Sequence, residues 1–127
     1  MIHQLPGLAI LTLILVFVGC AKPYVMVDRV LVQNTTTSKI TDVKVLHEPT
    51  KKMGKVNAIL PQSSLDIGLP RQPMLARQAV VSWRDSMGRE RRVTLDLPYD
   101  RALAKEKRAI SLIYVIHPSG SVTADLQ

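Results

Sequence analysis

The chain has 127 residues, with 17 Lys and Arg against 10 Asp and Glu, and a single cysteine. That length makes one domain and is too short for two well-buried cores, and a lone cysteine excludes an intramolecular disulfide. Lys22 is the first charged side chain, so the formal charge of +7 belongs wholly to the chain from Lys22 onward; a surface of that sign favours anionic partners.

Residues 5–19 form an uncharged stretch dominated by Leu, Ile and Val. As a helix its 15 residues would rise only about 22 Å, short of the roughly 30 Å hydrocarbon core of a bilayer. An apolar run of this length, ending in a small residue, reads as the hydrophobic region of a secretory signal peptide. It stops at Gly19, Cys20, Ala21, Lys22 and Pro23.

Phe17-Val18-Gly19-Cys20 resembles the bacterial lipoprotein signal, whose lipobox ends in a small residue followed by the modified cysteine. Gly19 and Cys20 match that pattern; Phe17 stands where Leu is usual, and residues 1–4 carry no Lys or Arg. The resemblance implies a diacylglyceryl group on the Cys20 thiol and cleavage between Gly19 and Cys20. It also implies acylation, commonly by palmitate, of the new amine. One acyl chain holds a protein to a membrane only marginally, whereas two or three anchor it stably. Ala21 is not the Asp associated with retention at the inner membrane, so the resemblance points to the outer membrane and the periplasm. The competing reading is an uncleaved N-terminal anchor carrying a periplasmic β domain, and its span would have to run into Lys22 and Pro23. The expected organisation is a signal peptide over 1–19, a lipidated N-terminus and short linker over 20–24, and a domain over 25–127.

Within that domain, residues 25–33 are rich in β-branched side chains, and Asp28 and Arg29 break the alternation as a bulge does. Residues 34–38 (NTTTS) form a turn cluster. Residues 39–47 alternate, with Thr41, Val43, Val45 and His47 on one face and Ile40, Asp42, Lys44 and Leu46 on the other. Residues 48–55 read as a basic loop, and 56–60 and 65–69 as short strands. Residues 75–83 place Leu75, Ala79, Val81 and Trp83 on one face, with Arg77 marking a bend or strand end. Asp85, Ser86, Met87 and Gly88 make a hairpin turn. The return strand over 89–97 turns Val93, Leu95 and Leu97 inward. Asp100 is placed to cap a helical turn over 101–107. A last hairpin turns Ile110, Leu112, Tyr114 and Ile116 inward, reverses at 118–121, and returns through Val122, Ala124 and Leu126.

Seven or eight short strands with turns every eight to twelve residues predict an all-β fold, a small antiparallel β-sandwich behind an N-terminal signal helix. The pattern resembles immunoglobulin or fibronectin type III architecture, without the cysteine pair of immunoglobulin domains.

Catalytic and metal-binding patterns are missing from the sequence. His47 and His117 have no HxH, HExxH or cysteine companion, and metal sites need three or four convergent ligands. Ser82 lacks a glycine elbow, and the carboxylates are scattered singly. No enzyme activity, metal or cofactor is expected. Trp83 shares the inward phase of Ala79 and Val81 and is expected in the core. The candidate anion-binding residues are Arg84, Arg89, Arg91 and Arg92 around the hairpin and Lys51, Lys52 and Lys55 in the basic loop; Arg101, Lys105, Lys107 and Arg108 form a third basic group. The expected function is a membrane-anchored envelope lipoprotein acting as a binding or assembly module for an envelope protein complex. The alternative is direct binding of lipopolysaccharide or another acidic polymer through the basic surface. Nucleic acid is excluded as a partner by export and by a shortage of stacking aromatics.

Overall fold

The computed structural model describes residues 24–127. The signal segment, Gly19 and Cys20 lie outside the described residues. Nine strands and one helical turn succeed one another in chain order: β1 Met26–Asn34, β2 Ile40–Glu48, β3 Met53–Ile59, β4 Ser63–Asp66, β5 Gln72–Pro73, β6 Gln78–Arg84, β7 Glu90–Asp96, α1 Arg101–Ala104, β8 Ile110–Ile116 and β9 Val122–Leu126. They form two sheets. The first has the order β4-β1-β8-β9, with β5 also pairing β1; the second has the order β3-β2-β6-β7.

The two sheets enclose one apolar core, so the chain folds as a small β-sandwich. Inward residues alternate with outward ones along the strands, as the two-residue period of a strand requires. Val43 and Val45 of β2, Ala79, Val81 and Trp83 of β6, and Ile110, Leu112, Tyr114 and Ile116 of β8 are all buried. Burial of each large apolar side chain contributes about 1.5–3 kcal/mol, and in this domain no disulfide adds to it, because Cys20 is the chain's one cysteine.

The structure corrects several expectations. There are nine strands among the described residues, and the first sheet is mixed, because β1 and β8 run parallel from Val27↔Ile110 to Asn34↔Ile116. Parallel neighbours cannot be joined by a hairpin, and here the whole second sheet lies between them in sequence. Residues 53–55 belong to β3, so the basic loop is confined to 49–52. The fourth strand is Ser63–Asp66, ahead of the expected 65–69, because β1 pairs it through Leu31↔Asp66 to Asn34↔Ser63. Leu75 precedes β6 and is exposed.

The two irregularities in the alternation have one physical cause. Between Val27 and Arg29 the β1–β8 register shifts, leaving Asp28 as an extra residue, so that Val27 and Val30 both face inward. In β2, Asp42 takes φ 49° and the register with β6 shifts between Thr41 and Lys44. Ile40 is therefore buried and Thr41 is not, the reverse of an unbroken alternation.

Gly54 is required by a close approach: a Cβ there would lie 2.4 Å from the Ile67 carbonyl oxygen. The hairpin after β6 turns at Gly88, whose φ of 75° suits glycine. Along one lateral edge of the sandwich, β7 and β9 lie side by side. Half-buried Val93, Leu95, Ala124 and Leu126 pack there against the core, and Leu103 and Ala104 of α1 do the same. Asp100 caps α1, accepting from the Ala102 and Leu103 N–H groups at 2.9 and 3.4 Å. The turn ends at Lys105, short of the expected 107, because the apolar stripe from Leu103 would continue onto Glu106 and Lys107.

Candidate functional site

The outward residues of the second sheet are placed by strand register. Lys44 of β2 is paired with Lys55 of β3 on one side and with Ser82 of β6 on the other. Ser82 is paired in turn with Arg92 of β7. Lys55, Lys44, Ser82 and Arg92 thus form one row across all four strands, on the face away from the core.

The next row carries Met53, Leu46, Val80 and Thr94, paired in that order. Leu46 and Val80 are half-buried and Met53 is 55% exposed, so this row is an apolar strip open to solvent. Beyond it lies a third row, Glu48, Gln78 and Asp96, in which the Gln78 amide donates to Asp96 at 3.1 Å. Over these three rows the face is zoned into basic, apolar and acidic bands, and on the other side of the basic row lies a mixed one, Arg84 opposite Glu90 with Asp42 on Arg84. Like charges directly opposite one another on neighbouring strands are destabilising. The Lys44–Lys55 pair is such a cost to the fold, carried on an exposed surface.

The structure divides the seven candidate cations. Lys55 and Arg92 come together in the basic row. Lys51 pairs with Glu48 at 2.7 Å, Arg84 with Asp42 at 3.2 Å and Arg91 with Asp85 at 3.2 Å. Arg84 also donates to the Gly88 carbonyl at 3.2 Å, so these side chains brace turns and a bulge. Arg89 is exposed on the hairpin, and Lys52 is exposed on the loop after β2. Lys44 completes the row and was missed as a site residue. Its outward phase opposite Val43 and Val45 was visible in the sequence, but its register with Lys55 and Arg92 was not.

Two other groups of polar residues invite chemistry. A cavity of about 170 Å³ at one end of the sandwich is lined by Trp83, Asp85, Ser86, Arg91, His117 and Ser119, among others. Most of its polar side chains already have partners. Asp85 accepts from the backbone N–H of Arg89 and Met87 and from Arg91, and these bonds, that from Arg89 foremost, hold its carboxyl below the ordinary value. His117 Nε2 lies 2.9 Å from Thr123 Oγ1, and Trp83 is 3% exposed, a core side chain. The second group is His47 and Tyr114, buried together with Nε2 and the phenol oxygen 2.7 Å apart. Burial, aided by Lys52, pushes the imidazole below its ordinary 6.5, and burial pushes the Tyr114 phenol upward. Both groups are thus held neutral, satisfying each other inside the core.

Among the described residues no group of three or more His, Cys, Asp and Glu is placed to hold a metal ion, and no helix is long and apolar enough to cross a membrane. No family model matches the chain, and no curated protein matches it. The chain is similar in fold to a protein from Eubacterium rectale whose structure was solved by NMR, with a TM-score of 0.53 and 11% sequence identity over 84% of this chain and 93% of that one.

Proposed function

We propose that this chain is a lipid-anchored, non-enzymatic binding module of the bacterial cell envelope. In this reading Cys20 carries the acyl groups, the anchor sits in the outer membrane, and the sandwich faces the periplasm as an assembly partner of an envelope protein. In this reading the sandwich is of immunoglobulin or fibronectin type III kind, although the parallel β1–β8 pair departs from the ABED/CFG order of immunoglobulin constant domains.

The observation that carries the proposal is the zoned outer face of the second sheet. An apolar strip of Met53, Leu46 and Val80, flanked by a basic and an acidic row, has the make-up of a protein interface: an apolar centre with a charged rim. Charges of both signs on one face fix the orientation of a partner and suppress wrong ones.

The test has two readouts. The intact mass of the membrane-extracted protein should fit a chain starting at Cys20 plus two or three acyl groups, and Cys20→Ala should abolish that mass. Crosslinked envelope proteins that co-purify with the native chain should be lost in Leu46→Asp at unchanged melting temperature. A chain that stays alone after crosslinking would refute the assembly role. A second reading, binding of an acidic polymer such as lipopolysaccharide, is favoured by the Lys55–Lys44–Arg92 row. It requires binding that weakens steeply with salt and is lost in Lys44→Glu but kept in Leu46→Asp.

A further inference from the structure

The sandwich has two ends, and the start of β1 defines the one nearest the proposed anchor. Ile110 pairs with Val27, and β5 pairs with the first residues of β1 through Met26↔Pro73 and Val27↔Gln72. The Met74 N–H donates to the Val25 carbonyl, Arg77 to Glu48 and Leu97 to Arg77. The loops over 49–52, 74–77 and 97–109 therefore gather at the end from which the chain leads back to Cys20. The tips over 35–38, 60–62, 85–89 and 117–121 lie at the opposite end, joined by the bonds Thr35 to Ile116 and Gln62 to Asn34.

We propose that the anchor-proximal end is a docking surface for the anionic phospholipid headgroups of the membrane holding the anchor. The inference rests on lipid attachment at Cys20. Tyr24 lies four residues beyond Cys20, and so short a segment spans at most about 14 Å. This end of the domain is thus confined near the headgroups, within roughly one or two Debye lengths of 8–10 Å.

Its surface matches that confinement. The carboxylates at this end already have partners, Glu48 with Lys51, Glu106 with Arg108, Asp96 with the Gln78 amide and Asp100 with the first N–H groups of α1, and cations outnumber them. Lys52, Arg77, Arg101, Lys105 and Lys107 are all exposed here and make no ion pair among the described residues. Tyr24, Leu75 and Tyr99 are 51%, 48% and 61% exposed at the same end. Tyrosines settle at the headgroup level of a bilayer, with an apolar body and a wet hydroxyl, and cations near an anionic leaflet each add attraction. At the opposite end Arg91 is neutralised by Asp85, and Arg89 is the one exposed cation of the tips over 35–38, 60–62, 85–89 and 117–121 without an ion pair among the described residues; the rest of those tips is rich in Ser and Thr. The asymmetry turns the zoned face of the second sheet sideways, along the membrane, where a neighbouring protein can reach it.

The experiment is hydrogen exchange on the membrane-extracted full chain, reconstituted into phosphatidylcholine vesicles with and without phosphatidylglycerol. Amides over 49–52, 74–77 and 99–109 should exchange about fivefold more slowly with phosphatidylglycerol present, while 35–38 and 118–121 stay unchanged. High salt, or the combined variant Lys52→Glu, Arg101→Glu, Lys105→Glu and Lys107→Glu, should remove the difference. Equal exchange in both vesicle types, or equal slowing at both ends, would overturn the proposal. Slowing in native membranes but not in protein-free vesicles would assign this end to a protein partner and overturn it too. The intact mass of the same sample separates the two failures. Missing acyl groups would sink the anchoring reading itself, whereas acylated protein without end-selective slowing would sink the docking alone.

Discussion

The two ends of the sandwich solve the same problem, joining strands of opposite sheets, in different ways. At the far end the polar groups turn inward. Asn34 is fully buried at the end of β1, and its amide donates to the carbonyls of Ser38, Ile59 and Leu60 at 2.9, 3.1 and 3.3 Å. Its side-chain oxygen accepts from the Thr36 N–H and hydroxyl at 3.0 and 2.7 Å. One side chain thus ties β1, the turn into β2 and the end of β3 together. At the anchor-proximal end the loops are held by backbone bonds and by side-chain bonds at the surface, such as Asp100 on the α1 N–H groups and Lys51 on Glu48; Thr50 Oγ1 is buried with no partner among the described residues, and several long cations are exposed without an ion pair. A buried, satisfied amide fixes geometry, whereas exposed, unpaired charge adds little to stability and is available to a partner. The difference assigns rigidity to one end and recognition to the other.

The largest effect should come from breaking the rigid end. Asn34→Ala strands several carbonyls that lose their donor, and each unsatisfied buried group costs about 1–3 kcal/mol. The expected loss is about 3 kcal/mol, or roughly 10–20 °C in melting temperature, measured by thermal unfolding. A loss below about 1 kcal/mol would mean that the turn holds without its hub. Between the two ends, Gly54→Ala drives a methyl into the Ile67 carbonyl. Overpacking of this kind costs about 2 kcal/mol, and denaturant melts should show it with an unchanged slope. A neutral result would mean that β3 and the segment after β4 can move apart.

How much of this contrast is legible in the sequence depends on the range of the forces involved. The alternation of Ile110, Leu112, Tyr114 and Ile116, the inward phase of Trp83, the bulge at Asp28 and the Gly88 turn were legible because each depends on neighbours in the chain. Asn34 was legible only as the first residue of a turn cluster. Its burial depends on Ile59, 25 residues away, and no local pattern reports such a partner. The same holds for the basic row. Lys44, Lys55 and Arg92 were each readable as outward residues or loop cations, but strand pairing aligned them, and that register was invisible. Asp42 shows the limit from the other side, since one residue at positive φ exchanged the faces of Ile40 and Thr41.

A smaller effect should appear on acidification, and it should arise near the anchor-proximal end. His47 has its affinity for protons lowered in the folded state, first by burial and then by Lys52. Below the ordinary value of 6.5 the unfolded chain binds more protons than the native one, so stability falls as pH falls. The stabilisation is complete above that value and is lost as pH drops through the lower, native one. Melting temperature should therefore be flat above about pH 6.5 and decline below it, and His47→Gln should flatten the decline. Asp85, also lowered, adds its own loss only further down, below its ordinary 3.8.

The smallest stability effect is the most informative, because its sign separates a functional surface from a merely solvated one. Lys44 faces Lys55 directly across the strands, and Lys44→Glu would turn a repulsive pair into an attractive one. Cross-strand pairs of this kind are worth about 0.2–1 kcal/mol, so the variant should be more stable by about 0.5 kcal/mol in denaturant melts. A surface shaped only by folding and solubility has no reason to keep the less stable arrangement. If the basic row meets a partner, Lys44→Glu should lose crosslinking to that partner while gaining stability, and its exchange with anionic vesicles should match wild type, because Lys44 lies on the face of the second sheet and not at its end. A variant that gains stability and keeps its partner would remove the basic row from the interface and leave the apolar strip of Met53, Leu46 and Val80 to account for binding.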